Sequence, residues 1–194
     1  MARTKEFDPT EALAKAMSVF WRLGYENTST DLLMREMAIA KQSLYDTFGD
    51  KRSLYLKALA YYRNETNSGL RQIFQSELSV RRGFAKLLFG LTSESREQHE
   101  RGCLLLSANL ERNTGDAQIA EFLRENQVEV ESIFLEALRR AQAAGEVSKK
   151  QDPVALARFF VVTIQGMRAM ARLHSDRRAL RQVAKVALAV FDKE

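Results

Sequence analysis

Residues 41–46 carry side chains that can form hydrogen bonds with the edges of DNA bases. If this segment is helical, successive residues are about 100° apart. Leu44 and Phe48 then lie one turn apart and face inward, whereas Gln42 and Asp46 lie on the opposite face. Three further polar residues flank that outer face: Lys41, Ser43 and Tyr45.

These residue types suit the major groove of DNA. A glutamine amide can pair with adenine, a lysine ammonium with guanine or phosphate, and an aspartate with N4 of cytosine. A short helix that presents such a face fits the width of the groove. The outer face of this segment therefore predicts contact with double-stranded DNA.

The segment lies within a predicted helix-turn-helix over residues 28–48. A helix of about eight residues, a turn of about three and a second helix of about eight match two short helices that cross at a steep angle. Thr28 and Ser29 can cap the first of these helices. They can also lie near phosphate, because the free amides at a helix start attract anions.

The rest of the chain predicts an all-α protein. It has only two prolines, each directly after an aspartate (Asp8-Pro9 and Asp152-Pro153), which is a helix-start signature. Apolar residues recur at three- and four-residue spacing. A polar linker is expected at 92–101, with His99 on the surface. About nine helices are expected, over residues 9–24, 28–37, 41–48, 51–77, 80–91, 103–110, 116–144, 153–173 and 176–191.

The charge balance permits a polyanionic partner without requiring one. The chain has 194 residues and a net charge of +5, from 30 basic and 25 acidic side chains. Residues 1–66 hold ten basic and nine acidic side chains, so the first segment is not a basic arm. Any DNA contact there depends on where individual charges are placed.

Several classes of protein are disfavoured by the sequence. The single cysteine, Cys103, excludes an intramolecular disulfide, and the two histidines are 75 positions apart, so neither a metal site nor a cofactor is expected. Residues 1–10 do not form a secretory signal. The apolar stretch 154–171 is interrupted by Arg158, Gln165 and Arg168, and is predicted to be a buried helix rather than a membrane span. A cytoplasmic location follows.

Enzyme activity is not expected either. The chain shows no Ser-His-Asp order, no phosphate-binding loop and no glycine-rich nucleotide fingerprint.

Specific short motifs give the predicted DNA-binding segment a family resemblance. Residues 12–56 resemble the DNA-binding domain of the TetR family of one-component bacterial regulators. The resemblance rests on FWRLGY at 20–25, Thr28-Ser29, SLY at 43–45 and FGDK at 48–51, in order and at fixed spacing. GCLL at 102–105 and the helical plan are weaker matches.

The resemblance implies a homodimeric repressor in two domains, residues 1–50 for DNA binding and 51–194 for ligand binding and dimerisation. The first three helices would bind half of a palindromic operator, the last two would form the dimer interface, and a small molecule would release the DNA. The implied DNA-binding residues are Thr28, Ser29, Lys41, Gln42, Ser43, Tyr45 and Lys51. The candidate ligand-binding residues are Tyr61, Phe84, Leu88, Asn109, Phe122, Asn126, Phe160 and Gln165.

Two residues depart from the family pattern in the turn. Ala38 stands where a glycine is usual, and alanine tolerates a left-handed backbone poorly. Ala40 stands where a serine cap is common. Alanine cannot cap a helix, and the absence of the cap costs about 1 kcal/mol. Both predict a modestly destabilised turn with function retained.

Two alternatives remain open at this level. Cys103 could make the protein a redox-responsive repressor, although a cysteine packed in apolar surroundings is the more common case. A helical adaptor with a degenerate DNA-binding head is the other.

Overall fold

A computed structural model describes residues 7–111, 116–174 and 176–192. Over these residues the chain is helical and has no strand, which confirms the all-α prediction. The described part contains ten α-helices, followed by a 3-10 turn at Ala189–Phe191. The helices are α1 Pro9–Leu23, α2 Thr30–Met37, α3 Lys41–Phe48, α4 Lys51–Ser76, α5 Val80–Ser93, α6 Arg96–Arg101, α7 Leu104–Leu110, α8 Ala117–Ala143, α9 Pro153–Leu173 and α10 Arg177–Leu188.

Helix α6 occupies the segment that was expected to be a polar linker. Its start is a capping box, in which the Ser95 hydroxyl accepts from the Gln98 amide and the Gln98 side chain accepts from the Ser95 amide. The prediction that His99 is a surface residue was wrong. His99 is 2% exposed, and its Nε2 lies 2.8 Å from the carbonyl oxygen of Leu91.

The chain forms two compact units. Unit 1 is drawn from residues 1–66 and 103–120, and unit 2 from residues 67–102 and 121–194. In unit 1, Phe20 of α1 is fully buried and packs edge-on against Tyr55 of α4, with ring centroids 4.9 Å apart. Leu33 of α2 and Leu44 of α3 are also fully buried. These contacts hold the three short helices around one small core.

The core of unit 2 is centred on aromatic rings. Phe84 of α5 is fully buried and stacks on Phe160 of α9 at 3.8 Å between centroids. Phe74 and Phe134 contact Phe84 at 4.8 and 5.2 Å. Each such pair adds to the stabilisation from burial alone.

Helix α9 is more exposed than the sequence suggested. Within the described part of the chain it is the one helix whose length and apolar composition suffice to cross a membrane, despite Arg158 and Arg168, and one such helix is weak evidence for a span. Within the single chain, 28% of its apolar window is buried, so the chain by itself does not bury the whole helix.

Helices α9 and α10 pack against each other, and both expose large apolar side chains. We call this exposed apolar surface the α9–α10 face. Its large apolar side chains are 40–72% exposed, and they are Phe159, Val162, Met170, Val183 and Val186, with Leu173 at 70% at the end of α9. Exposed apolar surface of this kind marks an interaction site more often than free surface.

Candidate nucleic-acid interface

The turn between α2 and α3 sets the angle at which α3 is presented. Ala38 ends α2 in the left-handed region, with φ 56° and ψ 43°. The Ile39 amide donates to the carbonyl of Met34, five residues back, which closes the helix end. Ala38 is the one non-glycine residue with positive φ in the described ranges. The expected strain at this position is therefore present.

We predict that Ala38→Gly stabilises unit 1 by about 1 kcal/mol, because glycine adopts the left-handed region without a Cβ clash. Chemical denaturation followed by circular dichroism measures the change. The matched control is Ala14→Gly in the middle of α1, which should destabilise by about 1 kcal/mol. Destabilisation at both positions would show that the turn is not strained.

Helix α3 starts without a side-chain cap, as expected from Ala40. It is held instead by its apolar face, since Leu44 and Phe48 are 0% and 4% exposed. Lys57 of α4 adds a contact that the sequence did not reveal. Its ammonium donates to the carbonyl of Phe48 at 2.9 Å and so satisfies the end of α3. Only tertiary packing brings a residue nine positions away to this helix end.

The opposite face of α3 is open to solvent. Lys41, Gln42 and Asp46 are exposed, Tyr45 is 45% exposed and Ser43 is half-buried. The Gln42 amide Nε2 donates to Asp46 Oδ1 at 2.7 Å. The structure thus brings together four of the predicted DNA-binding residues on one helix.

Ser29 and Thr28 have different environments. Ser29 is exposed and caps α2, its hydroxyl accepting from the Leu32 amide at 3.1 Å. Thr28 is fully buried, and its hydroxyl donates to the Gly24 carbonyl at 2.6 Å. The Thr28 hydroxyl is therefore held away from solvent, where the predicted phosphate contact would have to be made.

The start of α4 carries the last predicted DNA-binding residue. Lys51 lies over the ring of Tyr25, with its ammonium 4.3 Å from the ring centroid. Asp50 accepts from the Ser53 amide at 2.7 Å, and this bond lowers the pKa of its carboxyl. Lys51 is the first residue of this helix, whose start carries a partial positive charge.

Arg52 ties this helix start to the beginning of α8 within unit 1. Its guanidinium donates to both carboxylate oxygens of Asp116, at 2.5 and 2.8 Å, and to the Gln118 side chain. Asp116 also accepts from the Gln118 and Ile119 amides. The hydrogen bond from Arg52 lowers the pKa of Asp116 from 3.8 to about 2. Nothing in the sequence predicts an ion pair between two residues 64 positions apart.

We predict that Asp116→Asn lowers stability near neutral pH and that this difference disappears in acid. A carboxyl with a depressed pKa contributes stability above its unfolded value of 3.8 and loses it as the pH falls through about 2. Urea denaturation of wild type and variant across that range measures the difference. Asp31→Asn, at an exposed carboxylate of α2, is the control. A difference that persists below pH 2 would show that ionisation is not the cause.

A second link in unit 1 joins the end of α1 to the end of α7. The backbone amide of Tyr25 donates to Glu111 Oε2 at 3.3 Å. The Tyr25 ring packs against Tyr55 at 4.8 Å. Burial raises the pKa of both tyrosine hydroxyls above the ordinary value. Polar and aromatic contacts together thus stabilise the end of α1 in unit 1.

The predicted ligand-binding residues are divided between the two units. Phe84, Leu88 and Phe160 are fully buried in the core of unit 2, where their side chains pack against other apolar residues. Asn126 accepts from the Asn67 amide at 3.3 Å, also in unit 2, and Phe122 is half-buried. Gln165 is exposed in unit 2, Asn109 is exposed in unit 1, and Tyr61 is half-buried in unit 1.

Two cavities in unit 2 are lined by other residues. A groove of about 400 Å³ lies along α4 and α8, between Arg71 and Glu136, with Val128 and Ile133 among its apolar lining. A smaller cavity is lined by His99, Glu94 and Arg168, among others. No group of three metal-ligating His, Cys, Asp or Glu side chains occurs in the described ranges. Cys103, which precedes α7 in unit 1, is partly exposed.

Comparison with protein families gives two matches along the chain. Residues 12–58 match the model described as bacterial regulatory proteins, tetR family. Residues 86–187 match the model described as Tetracyclin repressor-like, C-terminal domain. The first match contains α2, α3 and the residues of their exposed face.

Individual proteins are similar over nearly the whole chain. The HTH-type transcriptional repressor ComR of Escherichia coli (strain K12) is 30% identical, covering 97% of this chain and 91% of ComR. The uncharacterized HTH-type transcriptional regulator YezE of Bacillus subtilis (strain 168) is 29% identical, over 99% of this chain and all of YezE. A cysteine-substituted mutant of the TetR family transcriptional regulator CifR, complexed with 26-base-pair double-strand operator DNA, is 32% identical. It has a TM-score of 0.86 and covers 98% of this chain and 100% of CifR.

Proposed function

The chain belongs to the TetR family and is a DNA-binding transcriptional regulator, and from this premise we propose that it is a ligand-responsive repressor. It binds a palindromic operator as a homodimer. A small molecule in the C-terminal domain, residues 51–194, releases the DNA from the N-terminal domain, residues 1–50. The protein acts in the cytoplasm.

One observation supports the DNA contact most directly, which is the two-faced character of α3. Leu44 and Phe48 form its buried apolar face. The exposed side carries Lys41, Gln42 and Tyr45. Two classes of contact are available from α3, the start of α2 and the start of α4. Gln42 and Tyr45 can reach base edges, and Lys41 with Lys51 and Ser29 can bind phosphates.

The proposed homodimer is supported by the α9–α10 face. Val162 and Val186 are 65% and 72% exposed on long helices whose other sides are buried. A second copy of the chain would bury these side chains, and a pair of helices from each copy would form a four-helix interface. Two-fold symmetry of such a dimer matches two half-sites of a palindromic operator.

We predict that Val162→Asp converts the dimer to monomers and weakens operator binding. A charge at the centre of an apolar interface is left without solvent or counter-charge. Sedimentation velocity and DNA binding measure the two effects. Val128→Asp is the matched control, because Val128 of α8 is equally exposed at 64% but lies off the α9–α10 face. Monomers in both variants, or dimers in both, would contradict the proposed interface.

The proposed response to a ligand is a free-energy coupling between two sites. A ligand that binds the non-DNA conformation more tightly shifts the equilibrium away from DNA by typically about 1–3 kcal/mol. The contacts of Arg52 with Asp116 support this route, since α4 and α8 each start in unit 1 and continue into unit 2. The candidate effector contacts remain those predicted from the sequence, including Asn126 and Phe122.

The test is fluorescence anisotropy of the purified protein on DNA from upstream of its own gene. Scrambled DNA is the control, and each is measured at two salt concentrations. A repressor binds the upstream DNA with a large preference and a steep salt dependence. Where the upstream DNA shows no preference, selection from random sequence finds the operator. Failure to enrich any sequence in that selection would contradict the proposal.

A redox-responsive repressor is the second candidate. It is favoured by the partial exposure of Cys103, because a cysteine packed in apolar surroundings is expected to be buried. Oxidant would release DNA from wild type in this case but not from Cys103→Ser. Equal release from both proteins would exclude Cys103 as the trigger.

A further inference from the structure

We infer that Asp46 is a positioning residue that orients Gln42 to read an adenine in the major groove. The inference rests on the proposed DNA contact of α3 and concerns which base that contact selects. Gln42 and Asp46 are four residues apart on α3, both exposed, and Gln42 Nε2 donates to Asp46 Oδ1 at 2.7 Å. Pairs of this type at this spacing are mutual neighbours on a helix surface.

The bond determines which groups of Gln42 remain available. The amide nitrogen has two hydrogens and the amide oxygen has two acceptor sites. Asp46 engages one hydrogen of Gln42, which leaves one N–H donor and the whole Oε1 acceptor. Engagement of the hydrogen trans to Oε1 leaves the other N–H and Oε1 side by side in the plane of the amide.

Adenine offers the complement of this pair. Its N7 accepts and its N6 amino group donates, so a glutamine can bind both atoms at once. Guanine presents two acceptors, O6 and N7, at the same positions, and a glutamine oxygen would face an acceptor there. Without Asp46 the Gln42 amide could turn over and present its groups in the reverse order.

The orientation of Gln42 by Asp46 gives a reason for an acidic residue at a position so close to DNA. Asp46 repels phosphates, and this repulsion lowers affinity for all sequences alike. Orientation of Gln42 affects only the base that Gln42 contacts. The charge of Asp46 therefore affects affinity for all DNA, whereas its acceptor atom affects base selection. Variants that change only one of these features can separate the two effects.

The experiment starts with selection of duplexes by the full-length protein from DNA randomised over about two helical turns, the span of two half-sites. Gln42→Ala identifies the base that Gln42 contacts, because preference is lost at that position. That base is then replaced by 7-deazaadenine, which lacks the N7 acceptor. Anisotropy on this duplex is measured for wild type and for the variants Asp46→Asn and Asp46→Ala. Both substitutions remove the charge, but only asparagine keeps an acceptor atom.

We expect wild type and Asp46→Asn to lose about tenfold in affinity on the 7-deazaadenine duplex, and Asp46→Ala to lose about twofold or less. Both variants should bind all DNA somewhat more tightly than wild type. Thermal unfolding of the variants gives their stability separately, and it should not follow the base discrimination.

Two results would overturn the inference while leaving the proposed function intact. One is a preferred base other than adenine at the Gln42 position, and the other is a full tenfold discrimination in Asp46→Ala. Failure of wild type to enrich any sequence would overturn the proposed function and the inference together.

Discussion

The double variant Gln42→Ala, Tyr45→Ala will lose about a hundredfold or more in affinity for the operator and will bind it no better than scrambled DNA. Each base contact supplies about 1–3 kcal/mol of discrimination, and a dimer makes each contact twice. Lys41, Lys51 and Ser29 are unchanged, so a weak, salt-dependent affinity for any DNA should remain. Both substituted side chains are exposed, and the fold should therefore be retained.

Anisotropy on the DNA that wild type selects measures this loss, with circular dichroism as the check on folding. Gln127→Ala, an exposed glutamine of α8, is the control and should bind as wild type does. A helical adaptor would be indifferent to the double change. Undiminished specific binding by the double variant would thus contradict the interface on α3.

The variant Phe84→Ala is expected to lower the free energy of unfolding by about 3–5 kcal/mol. Phe84 is fully buried and its ring contacts Phe74, Phe134 and Phe160 with centroids 3.8–5.2 Å apart. Truncation removes these contacts and leaves a cavity that the surrounding rings can fill only in part. This is a large fraction of the stability of a typical domain.

Denaturation at matched protein concentration measures the loss, because an obligate dimer is more stable at higher concentration. Phe84→Leu retains most of the volume and should cost less than half as much as alanine. Phe84 is also one of the candidate ligand contacts. We expect the folded fraction of Phe84→Ala to keep its affinity for DNA, and an alanine cost below about 1 kcal/mol would show that the site is not close-packed.

Local features of the chain predicted most of the elements. Asp8 and Asp152 cap α1 and α9 as expected, each followed by a proline in the first turn. Both signals act through neighbouring residues, so the sequence alone contains them. The strain at Ala38 was predictable for the same reason, because a left-handed turn residue is a local requirement.

Predictions that depended on burial were less successful. His99 lies among charged residues in the sequence but is buried against Leu91 in unit 2. Thr28 was expected to cap α2 or lie near phosphate, and it is fully buried with its hydroxyl donating to the Gly24 carbonyl. Helix α9 looked like a core helix and is exposed along one side. Exposure is decided by which elements pack together, and neighbouring residues do not reveal this.

The sequence by itself determined the helical class, the helix-turn-helix and the identity of the polar residues on the outer face of α3. These follow from capping, periodicity and short-range spacing, all of which act within a few residues. Tertiary structure alone decided the contacts that position this face. Lys57 at the end of α3 lies nine positions further along the chain, and Asp116 lies 64 positions from Arg52. Only the burial of a shared apolar core brings such residues within hydrogen-bonding distance.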